Sequence, residues 1–298
     1  MGTGHDHHVG ARHRWRLAAA AGLSAAFFIV ELVVALTSSS LALLSDAGHL
    51  AADVVALTAA LLATRVAARP DRTGRRTYGS YRAEVFASGL AVLLMAGVSV
   101  YVVVEAIRRV GEPVTVHSGA MLVAGSVGLV VNVAAMLLLR GGADESLNVK
   151  GAYLEVAADA AGSAGVVLAA VLVTTTGSAV WDAVVAVAIG VFVAVRAVSL
   201  GRQVLAVLAQ HVPEGVEPAS VTADLAAIRG VADVHDLHVW TLTSGINVAT
   251  VHLVSDADAD IQRILVDGQT LLKERHAIVH ATLQVEPATG DACHDSDW

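Results

Sequence analysis

Six stretches of the chain are apolar at nearly every position: Leu17–Leu36, Leu41–Thr64, Val85–Ile107, Ser118–Leu139, Ala152–Val173 and Ala179–Leu200. A helix that crosses a bilayer needs roughly 20 mostly apolar residues, and each stretch has that length. The breaks carry turn residues or charge: Thr37–Ser40, the Arg69–Arg76 run, Gly111–Pro113, Gly141–Asp144 and Thr174–Ser178. The first stretch is long and has no small-residue cleavage site directly after it, so a removable signal peptide is not expected. Beyond residue 208 the pattern shortens and alternates. Pro218–Arg229 has helical spacing at Val221, Leu225 and Ile228 and stops at Gly230. Val234–Leu242 and Ile246–Val254 look like strands joined by a turn containing Ser244 and Gly245. Ile261–Leu272 is helical, and His280–Glu286 alternates like a half-buried strand. The tail order is therefore α-β-β-α-β.

Composition agrees with the spans. Hydrophobic residues make up 55% of the 298 and charged residues 15%, too few to cover a water-facing surface of this size. The formal charge of −8 argues against a nucleic-acid partner. A single cysteine, Cys293, forms no internal disulfide. The charge is uneven: up to Leu208 the balance is +2, and from Ala209 it is −10. This break near Gln210 marks a boundary between a lipid-embedded part and an acidic, soluble tail that holds seven of the 13 histidines. Arginines and one lysine concentrate before span one, around the second and fourth breaks and after span six. The positive-inside rule then places both termini and the tail in the cytoplasm.

Ionisable residues inside the spans are the strongest chemical signal, because burying charge in lipid is costly and marks a functional site by default. Span two carries Asp46, His49 and Asp53; span five carries Glu155 and Asp159. His49 with Asp53, and Glu155 with Asp159, are i,i+4 pairs, so each pair stacks on one helix face. Two such helices supply four donors, the number a tetrahedral Zn²⁺ site takes. Glu31, Asn132 and Asp182 are expected as supporting partners or packing contacts, Asp46 as a group orienting His49 or a solvated helix-start acid.

Several motifs make the chain recognisable. They are Ser40–Asp53 (SLALLSDAGHLAAD), Tyr78–Val85 (YGSYRAEV), Ser146–Asp159 (SLNVKGAYLEVAAD), Val234–Trp240 (VHDLHVW) and His280–Glu286 (HATLQVE). In this order they resemble the cation diffusion facilitator family, particularly its bacterial zinc-exporting branch, over nearly the whole chain. The resemblance implies an α-helical membrane protein of six transmembrane helices followed by a small α+β ferredoxin-like cytoplasmic domain. It implies a homodimer that exchanges divalent metal for protons, with His49, Asp53, Glu155 and Asp159 as the transport site. Where this branch usually has His, the chain has Glu155. Carboxylate-rich sites suit harder ions such as Mn²⁺, while imidazole suits Zn²⁺. Zinc stays first, with Mn²⁺, Cd²⁺ and Co²⁺ as alternative substrates. Clustered carboxylates are further expected to hold shared protons that arriving metal expels.

The remaining polar residues are weighed one by one. Relatives place cytoplasmic metal ligands at positions matching His235, His252 and Glu286; Gln284 stands where some have His. Asp71 is a loop ligand in some relatives, although five neighbouring arginines make a salt-bridged acid the stronger expectation. The same arginines suit anionic lipid headgroups. His238 is expected in the core, and His276 and His280 in solvent. His5, His7, His8 and His13 form a leader too polar to fold, of the kind that captures metal weakly. The expected divisions are residues 1–16 (leader), 17–208 (transmembrane), 209–290 (cytoplasmic metal-binding) and 291–298 (tail). A bacterial inner or plasma membrane is the expected location. A membrane metal sensor without net transport is the rival of another class. A metalloenzyme is a third and disfavoured reading, because the His-Glu-x-x-His helix it would usually need is absent.

Overall fold

The computed structural model describes residues 7–67, 76–109, 115–143, 147–243 and 245–288. They divide into two compact units, one within Met1–Thr58 and Ala87–Leu200, the other within Ala59–Phe86 and Gly201–Trp298. Six long helices follow the six apolar stretches: α1 (His7–Ser38), α2 (Leu41–Ala67), α3 (Ala83–Arg108), α4 (Ser118–Ala143), α5 (Leu147–Thr176) and α6 (Val180–Leu208). Helices are the form an apolar run must take in lipid, because each backbone N–H and C=O is satisfied within its own segment. The shortest has 26 residues, about 39 Å at a rise of 1.5 Å per residue, more than the roughly 30 Å hydrocarbon layer. Five of the six are long and apolar enough to span by length and composition among the described residues; α2 has the length and carries the ionisable groups. The helix α1 begins at His7, well before Leu17, so part of the expected unfolded leader continues the span helix.

The interior of the first unit is built from small side chains. Ala35, Ala42, Ala52, Ala106, Ala124, Ala169, Ala170, Ala186 and Ala197 are buried among Leu41, Leu43, Met95, Met121 and Val193. Small residues let helix axes approach where lipid supplies no hydrophobic drive for association. Large apolar groups such as Ile29, Val33, Leu93, Val130, Leu137 and Val195 are exposed instead. Such an inverted surface belongs against acyl chains.

The joint between α1 and α2 shows how polar groups set the frame. Ser39 takes a left-handed φ of 55°, and α2 then starts at Leu41. The first N–H groups of a helix have no partner of their own. Here Asp182, near the start of α6, accepts from the Leu41 N–H at 2.7 Å, the Ala42 N–H at 3.1 Å and the Ser40 hydroxyl at 2.6 Å. The Ser40 hydroxyl oxygen accepts in turn from the Leu43 N–H at 3.2 Å. The buried Asp182 is thus a cap supplied from another helix, and it ties α2 to α6.

The second unit contains α7 (Pro218–Ala226), β1 (Val231–Thr243), β2 (Ile246–Ser255), α8 (Ile261–His276) and β3 (Ile278–Pro287). The α-β-β-α-β order expected from the pattern is present, with β1 beginning at Val231 rather than Val234. The sheet order is β1-β2-β3, β1 antiparallel and β3 parallel to β2. Along β2, Val251 and Leu253 enter the core with Val221, Leu225, Ile264 and Leu272. Strand alternation sends His252 to the other face. Asp260 caps α8 by accepting from the Arg263 N–H at 3.1 Å. Asp224 on α7 binds Arg275 at 2.7 Å and His276 at 2.8 Å. His276 is therefore tied and largely buried, against the expectation of a solvated helix end.

Candidate metal centre

The two-pair pattern places His49 and Asp159 deep in the first unit, with Asp53 and Glu155 half-buried. His49 is 2% and Asp159 4% exposed. His49 Nε2 lies 3.7 Å from Asp53 Oδ2 and 3.3 Å from Asp159 Oδ1, and donor atoms of all three fall within 4.8 Å of one another. Bonds of about 2.0–2.1 Å in a tetrahedron put neighbouring donors about 3.3 Å apart, so this spacing suits one small dication. Asp53 Oδ2 and Asp159 Oδ1 are buried without a hydrogen-bond donor, oxygens a cation would satisfy.

Glu155 departs from the expected set. Its carboxylate pairs with Arg196 of α6 rather than joining the other three. Arg196 also reaches His49, with Nη1 2.8 Å from Nε2. Arg196 stands outside the set expected from sequence, although an ionisable residue inside span six is the same signal that singles out Asp53 and Asp159.

Behind these residues lies a second buried polar group. Glu31 and Asp46 are both buried. Asp46 approaches α5 at Gly162, beside Ser163, whose hydroxyl oxygen accepts from Asn132 Nδ2 at 3.2 Å, and both Glu31 carboxylate oxygens are buried without a hydrogen-bond partner. Asp46 is therefore neither a solvated helix-start acid nor seen bonded to His49. Gly162 makes the approach possible: a Cβ there would stand 2.6 Å from Asp46 Oδ1.

In the second unit, β1 and β2 register His235 opposite His252, with ring centroids 5.2 Å apart. Glu286 on β3 closes the group, its Oε1 2.9 Å from His252 Nδ1 and its Oε2 3.7 Å from His235 Nε2. Neither nitrogen has an aligned hydrogen bond. These are the three tail residues singled out by sequence, and their donors also lie within 4.8 Å of one another. Gln284 donates to Glu286 Oε1 at 2.8 Å. Asp236 was missed. A register shift between His235 and His238, with φ of 51° at Asp236, turns its carboxylate toward His238 at 2.8 Å and His252 at 3.8 Å. Strict alternation gives no hint of that bulge. His238 is half exposed rather than a core residue. Asp71, His5, Cys293 and His294 lie outside the described residues, as do the side chains of His7, His8 and His13.

The family model of the cation efflux transmembrane domain matches residues 17–209, and that of the cation efflux protein cytoplasmic domain matches residues 213–288. The metal cation efflux system protein CzcD of Cupriavidus metallidurans is 40% identical over 299 residues, 100% of this chain and 93% of its own. The cadmium, cobalt and zinc/H(+)-K(+) antiporter of Bacillus subtilis is 30% identical, over 95% of this chain and 92% of its own. The zinc transporter ZitB of Escherichia coli is 34% identical, over 94% of this chain and 90% of its own.

Proposed function

The chain belongs to the cation diffusion facilitator family, in its bacterial zinc-exporter branch, and from that premise we propose that it exports divalent metal, zinc foremost, in exchange for protons. The observation that carries this reading is the cluster of His49, Asp53 and Asp159 between α2 and α5, with His49 and Asp159 buried and the three spaced for one dication. The names of the relatives support zinc, and extend the substrate class to Cd²⁺ and Co²⁺. The imidazole among the donors favours zinc over the Mn²⁺ that an all-carboxylate site would suit.

Metal and protons compete for the same atoms. His49 Nε2 must be unprotonated to ligate, and the carboxylates must be charged. A dication arriving from the cytoplasm therefore displaces protons, and protons arriving from outside displace the dication. Rocking of helices around a fixed site would present it to each side in turn. The positive-inside pattern orients both termini and the second unit toward the cytoplasm, in the inner or plasma membrane of a bacterium. There His235, His252 and Glu286 would bind a cytoplasmic metal ion, and two copies of the chain would form the working dimer.

Purified protein in proteoliposomes loaded with a zinc-sensitive dye tests the reading. A pH gradient should drive net zinc flux, and zinc binding should release protons into weak buffer. Zinc binding without flux would make the protein a metal sensor, and a proton count of zero at two pH values would remove the exchange.

A further inference from the structure

Arg196 carries a consequence of its own. Its guanidinium touches two residues: Nη2 pairs with Glu155, and Nη1 lies 2.8 Å from His49 Nε2. A guanidinium has donors only and keeps its charge in proteins. At this contact His49 Nε2 is therefore the acceptor, through its single lone pair. That same nitrogen faces Asp159 at 3.3 Å and Asp53 at 3.7 Å. One lone pair serves one partner, so a hydrogen bond from Arg196 and a bond to metal through Nε2 exclude each other.

We propose that Arg196 is a tethered cation that competes with the transported dication for His49 Nε2, and that Glu155 is its mooring rather than a metal ligand. The proposal rests on the reading of His49, Asp53 and Asp159 as the transport ligands. Charge supports it. Asp53, Asp159 and Glu155 bring three negative charges to the site, and Arg196 leaves two uncompensated, the complement of a dication. Without the guanidinium the site would be over-charged and slow to let its ion go. A transport site must bind well enough to load and weakly enough to unload. With it, departing metal is replaced at His49 by a cation already in place, and arriving metal pushes that cation back onto Glu155. A plain ion pair between Glu155 and Arg196 would explain only one of the two contacts.

The test is the KM and kcat for zinc uptake into proteoliposomes by the full chain. The pair E155Q with R196M leaves the net charge of the site unchanged and removes the guanidinium. It should lower KM about tenfold and lower kcat, because the competitor is lost at loading and the replacement cation is lost at release. E155Q alone should raise KM, because Arg196 unmoored from Glu155 stays on His49, and adding R196M should reverse that rise. If Glu155 were a metal ligand, both variants would raise KM. An unchanged or raised KM in the double variant overturns the proposal, as does an unchanged KM in E155Q should the double variant not fold. D159A separates this from failure of the underlying reading. Uptake lost in D159A with KM unchanged in the double variant sinks the role of Arg196 alone; uptake retained in D159A sinks the ligand assignment and this proposal with it.

Discussion

At the scale of single residues, Asp159 gives the sharpest test of the proposed site in the first unit. Asp159 is buried and its Oδ1 has no donor. D159N keeps the volume and an acceptor but removes the charge, so the fold should persist while zinc affinity falls. Loss of one charged donor should weaken binding at least about 100-fold, roughly 2.7 kcal/mol, with size-exclusion behaviour unchanged. Calorimetric titration reads the first and chromatography the second; equal affinity in D159N would remove Asp159 from the ligand set. His49, Asp53 and Asp159 were legible in the sequence because i,i+4 spacing fixes which side chains share a helix face. Spacing does not say which neighbouring helix meets that face. Glu155 shares a face with Asp159, yet α6 presents Arg196 to it, and the rotation of α6 is a matter of tertiary packing.

At the scale of elements, two devices hold the ligand helices. Asp182 caps α2 from α6, filling the role usually taken by a residue just before the helix. D182A would strand the N–H groups of Leu41 and Ala42 and the hydroxyl of Ser40 in a buried setting. Each such group costs about 1–3 kcal/mol, so a drop of at least about 2 kcal/mol in stability is expected. Thermal unfolding in detergent should show it, and zinc flux should fall with it because α2 carries His49 and Asp53. Gly162 is the second device. G162A would drive a methyl group into Asp46 Oδ1 and displace this buried carboxyl from α5, with an expected cost of about 1–3 kcal/mol. Unaltered melting in G162A would mean that Asp46 relaxes freely. All eleven elements are legible in the sequence because apolar runs and alternation are local signals, but helix ends are not: α1 begins ten residues before Leu17 and α6 runs eight beyond Leu200. The sequence did not assign Asp182 its cap, because Ser40 and Asp182 are distant in sequence and meet only once α2 and α6 are side by side.

At the scale of the whole chain, two candidate clusters lie in different units and share no residue: His49, Asp53 and Asp159 in the first, His235, His252 and Glu286 in the second. The first offers one imidazole and two carboxylates on α2 and α5. The second offers two imidazoles and a carboxylate held in strand register, where β1, β2 and β3 fix all three positions at once. A site with two imidazoles held in strand register should keep zinc longer than one with a single imidazole. Zinc titration of the full chain should therefore resolve a tighter and a weaker class. H252A should abolish the tighter class and leave the weaker, and D159N should do the reverse. Residues with no shared partner perturb binding independently, so the double variant should lose both classes by the sum of the single effects. A single class that vanishes in either variant would mean that the two clusters fill only together, and that the second unit works as a switch on the first.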